Sequence, residues 1–94
     1  MRRFIEALKV AKDKYYKEGG NPIEYIDEQG FLVTKSYYFD DGDWYSDCVE
    51  IFDPETKDVL EIYNDGSVRY NGESRDIPEL KDFLKEIYEA VFYG

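Results

Sequence analysis

Short turns interrupt a long run of strand-forming residues that spans positions 31–70. The run is rich in aromatic and β-branched residues, the types that fit a pleated, half-buried surface. Each connection is only a few residues long. Connections that short join antiparallel neighbours, because a parallel crossover needs a dozen or more residues. The run therefore predicts an antiparallel meander at the centre of the fold.

Turn residues divide this run into four predicted strands, at residues 31–39, 44–52, 59–63 and 67–70. Gly42 marks the first turn, because glycine adopts positive φ readily. Pro54 interrupts the second connection, since it has no N–H for a ladder, and Asn64-Asp65-Gly66 is a strong hairpin signal. Alternation along the strands gives the expected core residues, which are Val33, Val49, Ile51, Leu60, Ile62 and Val68.

Two flanking segments carry apolar residues at helical spacing. The first is 1–18, which Gly19-Gly20 and Pro22 end. The second is 76–93, where Asp76 and Glu79 have the spacing of a capping box. The predicted fold is α+β, an antiparallel sheet of four to five strands with an N-terminal and a C-terminal helix packed on one face. Alternation at 23–29 suggests a short edge strand as the fifth.

Ninety-four residues predict a single small acidic domain, 1–94. Cys48 is the only cysteine, so no intrachain disulfide can form, which favours a reducing, cytoplasmic location. The sequence contains no run of about 18 apolar residues, so we expect no membrane-spanning helix. The first residues do not resemble a signal peptide.

The net charge of −10 is concentrated in the middle of the chain. Residues 1–20 carry a net charge of +3, whereas residues 21–64 hold twelve acidic and two basic groups. An acidic surface repels phosphates and attracts cations. We therefore expect a basic protein surface as the partner, with neither direct nucleic-acid binding nor membrane binding.

Familiar catalytic and metal-binding groups are scarce. The chain has no histidine, and one cysteine cannot build a structural zinc site, so we predict no catalytic residue, metal or cofactor. The acidic turn, Asp40-Asp41-Gly42-Asp43, does not match an EF-hand. With Gly42 in the loop's glycine position, Tyr37 and Phe39 would occupy the first two ligand positions, and neither can bind Ca²⁺. An irregular Ca²⁺ site stays open as an alternative to a solvated turn. Glu50 and Glu61 lie within strands, either as solvated outer-face residues or as a catalytic carboxylate pair.

Aromatic residues crowd the acidic turn, and tryptophan and tyrosine are typical anchors of protein interfaces. Cationic side chains of a partner would also form cation–π contacts there. Core packing is the alternative for each aromatic residue. The predicted partner-binding residues are Asp40, Asp41, Asp43, Trp44, Tyr45 and Asp47.

Three functional hypotheses follow. The first is an acidic interaction module, in its strongest form an inhibitor that mimics nucleic acid and occupies a basic groove, as phage anti-CRISPR proteins and nuclease immunity proteins do. The second is a structural protein that forms a homodimer or larger homo-oligomer. The third is a small enzyme that uses carboxylates, which would need a carboxyl with a raised pKa.

Overall fold

A computed structural model describes the backbone of residues 1–94 and every side chain except those of Tyr38, Tyr45, Ser46 and Asp47. The fold is α+β, with helices flanking a five-stranded antiparallel sheet. The helices are α1 (Arg2–Glu18), α2 (Pro22–Glu28), a 3₁₀ turn (Pro78–Leu80) and α3 (Lys81–Phe92). The strands are β1 (Leu32–Asp40), β2 (Asp43–Phe52), β3 (Val59–Ile62), β4 (Val68–Tyr70) and β5 (Glu73–Arg75).

The sheet is a meander in which every strand pairs with its neighbour in sequence, in the order β1-β2-β3-β4-β5. The four predicted strands are confirmed within one or two residues. The predicted position of the fifth strand was wrong. This strand does not precede β1 but follows β4, to which the turn Asn71-Gly72 connects it. Both turn residues have positive φ, 49° and 86°, as a two-residue type I′ hairpin requires.

Residues 23–29 form most of a helix, so their assignment to an edge strand was wrong. The Asn21 side chain accepts a hydrogen bond from the Ile23 amide at 3.0 Å, and Pro22 occupies the first turn. Proline is well suited to that position, because its missing N–H would have no helical partner there. The proline that ends the α1 pattern therefore begins α2, which buries Ile26 completely.

The capping box predicted at Asp76 is also absent from the structure. The C-terminal helical segment begins with the 3₁₀ turn, which Ile77 precedes with no side-chain cap. The apolar stripe is nevertheless confirmed, since Leu80, Leu84 and Ile87 are buried. Docking of this stripe, rather than capping, stabilises the helix.

One buried cluster joins the helices to one face of the sheet. The predicted core residues of β2, β3 and β4 are buried, whereas Val33 is partly buried at the margin. We call this helix-covered side the inner face and the opposite side the outer face. The strand register supports this inner face, because Ile51 lies directly opposite both Val33 and Leu60 on the neighbouring strands.

A buried carboxylate ties α1 to the loop after β2. Asp53 is fully buried, receives a hydrogen bond from the Arg3 guanidinium, and accepts another from the Glu55 amide at 3.0 Å. Burial alone would raise the pKa of Asp53. The hydrogen bonds from Arg3 and Glu55 and the positive charge of Arg3 instead hold this pKa below its usual value near 3.8.

We expect Arg3→Gln to lower the free energy of unfolding more at pH 7 than at pH 3. A carboxyl with a lowered folded-state pKa stabilises the fold above its unfolded-state pKa, and this contribution is lost as pH falls through the folded-state value. Urea unfolding at both pH values measures the difference. Arg2→Gln is the matched control, because Arg2 is exposed and pairs only with Glu6 among the described side chains. Equal losses at both pH values would contradict the role of Asp53.

Candidate partner-binding arm

The β1–β2 hairpin extends beyond the rest of the sheet. β2 pairs with β3 only over Val49–Phe52, so residues 37–46 pair only with one another. We call these ten residues the arm. The molecule measures 43 × 27 × 24 Å, and this elongation is consistent with a projecting hairpin.

The end of the arm is a tight two-residue turn. Asp40 and Asp43 are the last paired residues, and between them Asp41 and Gly42 have φ angles of 49° and 83°. Positive φ at both central positions gives a type I′ turn, whose twist matches that of the flanking strands. Asp-Gly is a preferred dipeptide for this turn, so the local sequence specifies the hairpin that the structure contains.

A β-bulge sets the direction of the arm's aromatic side chains. Cys48 lies opposite Ser36, but Tyr37 lies opposite Ser46, so the register skips Asp47. The skipped residue shifts the alternation of β2 by one position. Trp44 therefore points to the same face as Phe39, its partner across the strands, and this is the inner face.

Phe39 and Trp44 form an exposed aromatic pair. Their ring centroids are 5.2 Å apart, and the residues are 59% and 70% exposed. Nearer the base of the arm, Tyr37 contacts the Phe92 ring of α3 edge-on at 5.9 Å and is 49% exposed. The aromatic side chains thus continue the inner face outward, past the point where the helices cover it.

Three predicted partner-binding aspartates lie in and next to the turn that follows this pair. Asp40, Asp41 and Asp43 are all exposed, and none forms an ion pair with a described side chain. The turn therefore places three carboxylates at the end of the arm, where by alternation Asp40 and Asp43 lie on the outer face and Trp44 on the inner face. The predictions for Tyr45 and Asp47 concern side chains outside those described. Phe39 was not among the predicted site residues, although its spacing from Tyr37 placed it on the same face.

The outer face of the sheet holds a second polar group of residues. Glu50 lies directly opposite Glu61, and the Cys48 thiol donates to Glu61 Oε2 at 3.7 Å. The Tyr63 hydroxyl donates to the same oxygen at 3.1 Å. Burial and the adjacent Glu61 charge raise the pKa of Tyr63 to about 12, so it remains a hydrogen-bond donor at neutral pH.

One donor atom from each of Cys48, Glu50 and Glu61 lies within 4.8 Å of the others, so among the described residues these three are candidate ligands for a metal. Because core packing accounts for folding, we expect a chelator to leave the melting temperature unchanged. Differential scanning calorimetry with and without EDTA tests this. A fall in melting temperature that Glu61→Gln removes would contradict it, because a ligand bound to the native state stabilises that state.

The shifted carboxyl pKa values do not fit a general acid. In three described carboxyls, those of Asp53, Asp58 and Asp65, burial acts to raise the pKa, but hydrogen bonds to the carboxylate lower it below its usual value. For Asp58 the main cause is the hydrogen bond from Tyr70, at 2.6 Å. A general acid at neutral pH instead needs a raised pKa.

Two tyrosines donate hydrogen bonds to the Glu86 carboxylate. Its two oxygens accept hydrogen bonds from Tyr15 and Tyr16, at 3.1 and 2.6 Å. They lie beside an open recess of about 520 Å³, which the connection from α1 to α2 and the C-terminal part of α3 line. The hydrogen bond to Glu86 is the main cause that raises the pKa of Tyr16 to about 12. This group therefore fastens α1 to α3.

Comparisons with protein-family models, curated proteins and solved structures find no match. In the part of the chain that the structure describes, no helix is both long and apolar enough to cross a bilayer.

Proposed function

We propose that this protein is an interaction module whose arm binds a basic surface of another protein. The observation that carries the proposal is the exposed Phe39–Trp44 pair beside three aspartates at the end of a projecting hairpin. Large exposed aromatic residues on a small domain are more typical of contact sites than of ordinary surface.

The two kinds of side chain have separate roles in this proposal. Trp44 and Phe39 lose contact with water on binding and supply the buried centre of the interface. The aspartates attract lysine and arginine residues of the partner, which speeds encounter and selects for a basic surface. Binding also relieves the self-repulsion of residues 21–64, which carry a net charge of −10.

The partner class that fits best is a protein that handles nucleic acid. Such proteins present clustered lysine and arginine residues in a groove that accepts phosphates. Carboxylates on a narrow hairpin are suited to occupy that groove in place of phosphates. The activity that follows is inhibition, of the kind that anti-CRISPR proteins or nuclease immunity proteins exert.

Competition with nucleic acid tests the inhibitor role. A partner is first isolated from the native host by co-purification, and its affinity for the protein is then measured with increasing amounts of a DNA or RNA that the partner binds. We expect nucleic acid to displace the protein, and Trp44→Ala to be displaced at lower nucleic-acid concentration. Tyr93→Ala is the control, because Tyr93 is equally aromatic and 78% exposed but lies outside the arm. A complex that holds both ligands together would contradict the proposed mimicry.

A further inference from the structure

The two edges of the sheet differ in how they are protected against pairing. β5 is three residues long, fully exposed, and carries an ion pair between Arg75 and Glu73 at 2.7 Å. Short, charged edges resist the addition of another strand. β5 therefore has the features of a protected edge.

β1 has fewer of these protections. It runs nine residues without proline, glycine or a bulge of its own, and Lys35 is the single charged residue before its terminal Asp40. Leu32, Tyr37 and Phe39 are exposed along it. Among the described contacts, its backbone hydrogen bonds to another element run to β2 alone. One side of β1 thus presents backbone donors and acceptors that can pair with a further strand.

We infer that β1 receives an extended basic segment of the partner, which adds to the sheet as a sixth strand. This inference rests on the proposed function and specifies its binding mode. Backbone pairing along the β1 edge supplies affinity, and alternate side chains of the added strand supply specificity. The segment would have apolar residues against Tyr37 and Phe39 and basic residues near the end of the arm.

Charge selects this occupant over a second copy of the chain. Two copies paired through β1 would each bring a net charge of −10. Like charges brought together in this way oppose association. A basic segment instead brings cations to the acidic chain.

A synthetic heptapeptide of alternating arginine and valine tests the pairing. The matched control is the same peptide N-methylated at every residue, which retains the charges and side chains but has no backbone donors. We expect the unmodified peptide to slow hydrogen exchange at alternate amides of Leu32–Asp40 by tenfold or more, with β5 amides unchanged. The N-methylated peptide should bind at least about tenfold more weakly, because several backbone hydrogen bonds are lost.

Several results would overturn the inference. If both peptides change Trp44 fluorescence equally without protecting β1, the arm binds cations but the edge does not pair, and the proposed function stands. Equal protection of β5 would show that pairing is not specific to β1. Sedimentation that reveals a dimer with protected β1 amides would make a second copy the occupant. Failure of the unmodified peptide to bind at millimolar concentration also overturns the pairing, and competition with nucleic acid then decides the proposed function separately.

Discussion

Ile62→Ala is expected to lower the free energy of unfolding by about 2–5 kcal/mol. Ile62 is fully buried in β3 and lies opposite both Val49 and Val68, so truncation leaves a cavity at the centre of the sheet. Leu84→Ala should cost about as much, because Leu84 is buried on the face of α3 that covers the sheet. Urea unfolding followed by circular dichroism measures both losses.

Trp44→Ala is the control for these core substitutions. Trp44 is 70% exposed on the arm, so its removal should change the free energy of unfolding by less than about 0.5 kcal/mol. A loss of several kcal/mol from Trp44→Ala would mean that the arm packs into the core. A loss below about 0.5 kcal/mol from Ile62→Ala would mean that the strand register is wrong.

Local signals predicted most of the sheet. Strand-forming residues separated by short turns specify an antiparallel meander, and the aliphatic alternation of β3 identified Leu60 and Ile62 as core residues. The missed strand, β5, also had a local signal, since Asn71-Gly72 is a preferred type I′ dipeptide. Its three residues are all polar or charged, so they lack the composition of a strand.

The errors at the helices have a common physical cause. Pro22 ends one helix pattern and also begins another, and proline alone does not distinguish the two. The alternation of Ile23 and Tyr25 suggested a strand, whereas the fully buried Ile26 shows that spacing by three was the relevant period. Packing of Ile26 in the core decides between the two patterns.

Charge and aromatic crowding identified the candidate site, but its geometry required the structure. The skipped position at Asp47 places Trp44 on the inner face with Phe39, and no local signal predicts that bulge. The projection of the arm depends on how few residues of β2 pair with β3. The alternative that Trp44 packs in the core is wrong, since its side chain is largely exposed.

Measurement of the association rate with a purified partner tests the role of the arm most directly. The variant changes Asp40, Asp41 and Asp43 together to asparagine, which keeps the side-chain shape and the turn. The control changes Asp13→Asn, Glu18→Gln and Asp27→Asn, which are exposed and form no ion pair with a described side chain. Both variants raise the net charge of −10 by three units.

We predict that the arm variant associates about tenfold or more slowly than the wild type at low salt, and that its rate depends less on salt. Exposed charges near the contact steer encounter, and this effect is screened beyond about 10 Å at 0.1 M salt. The control variant should keep a rate within about threefold of the wild type, because its charges lie outside the arm. Equal rates and equal salt dependence for the two variants would contradict the arm as the partner-binding site.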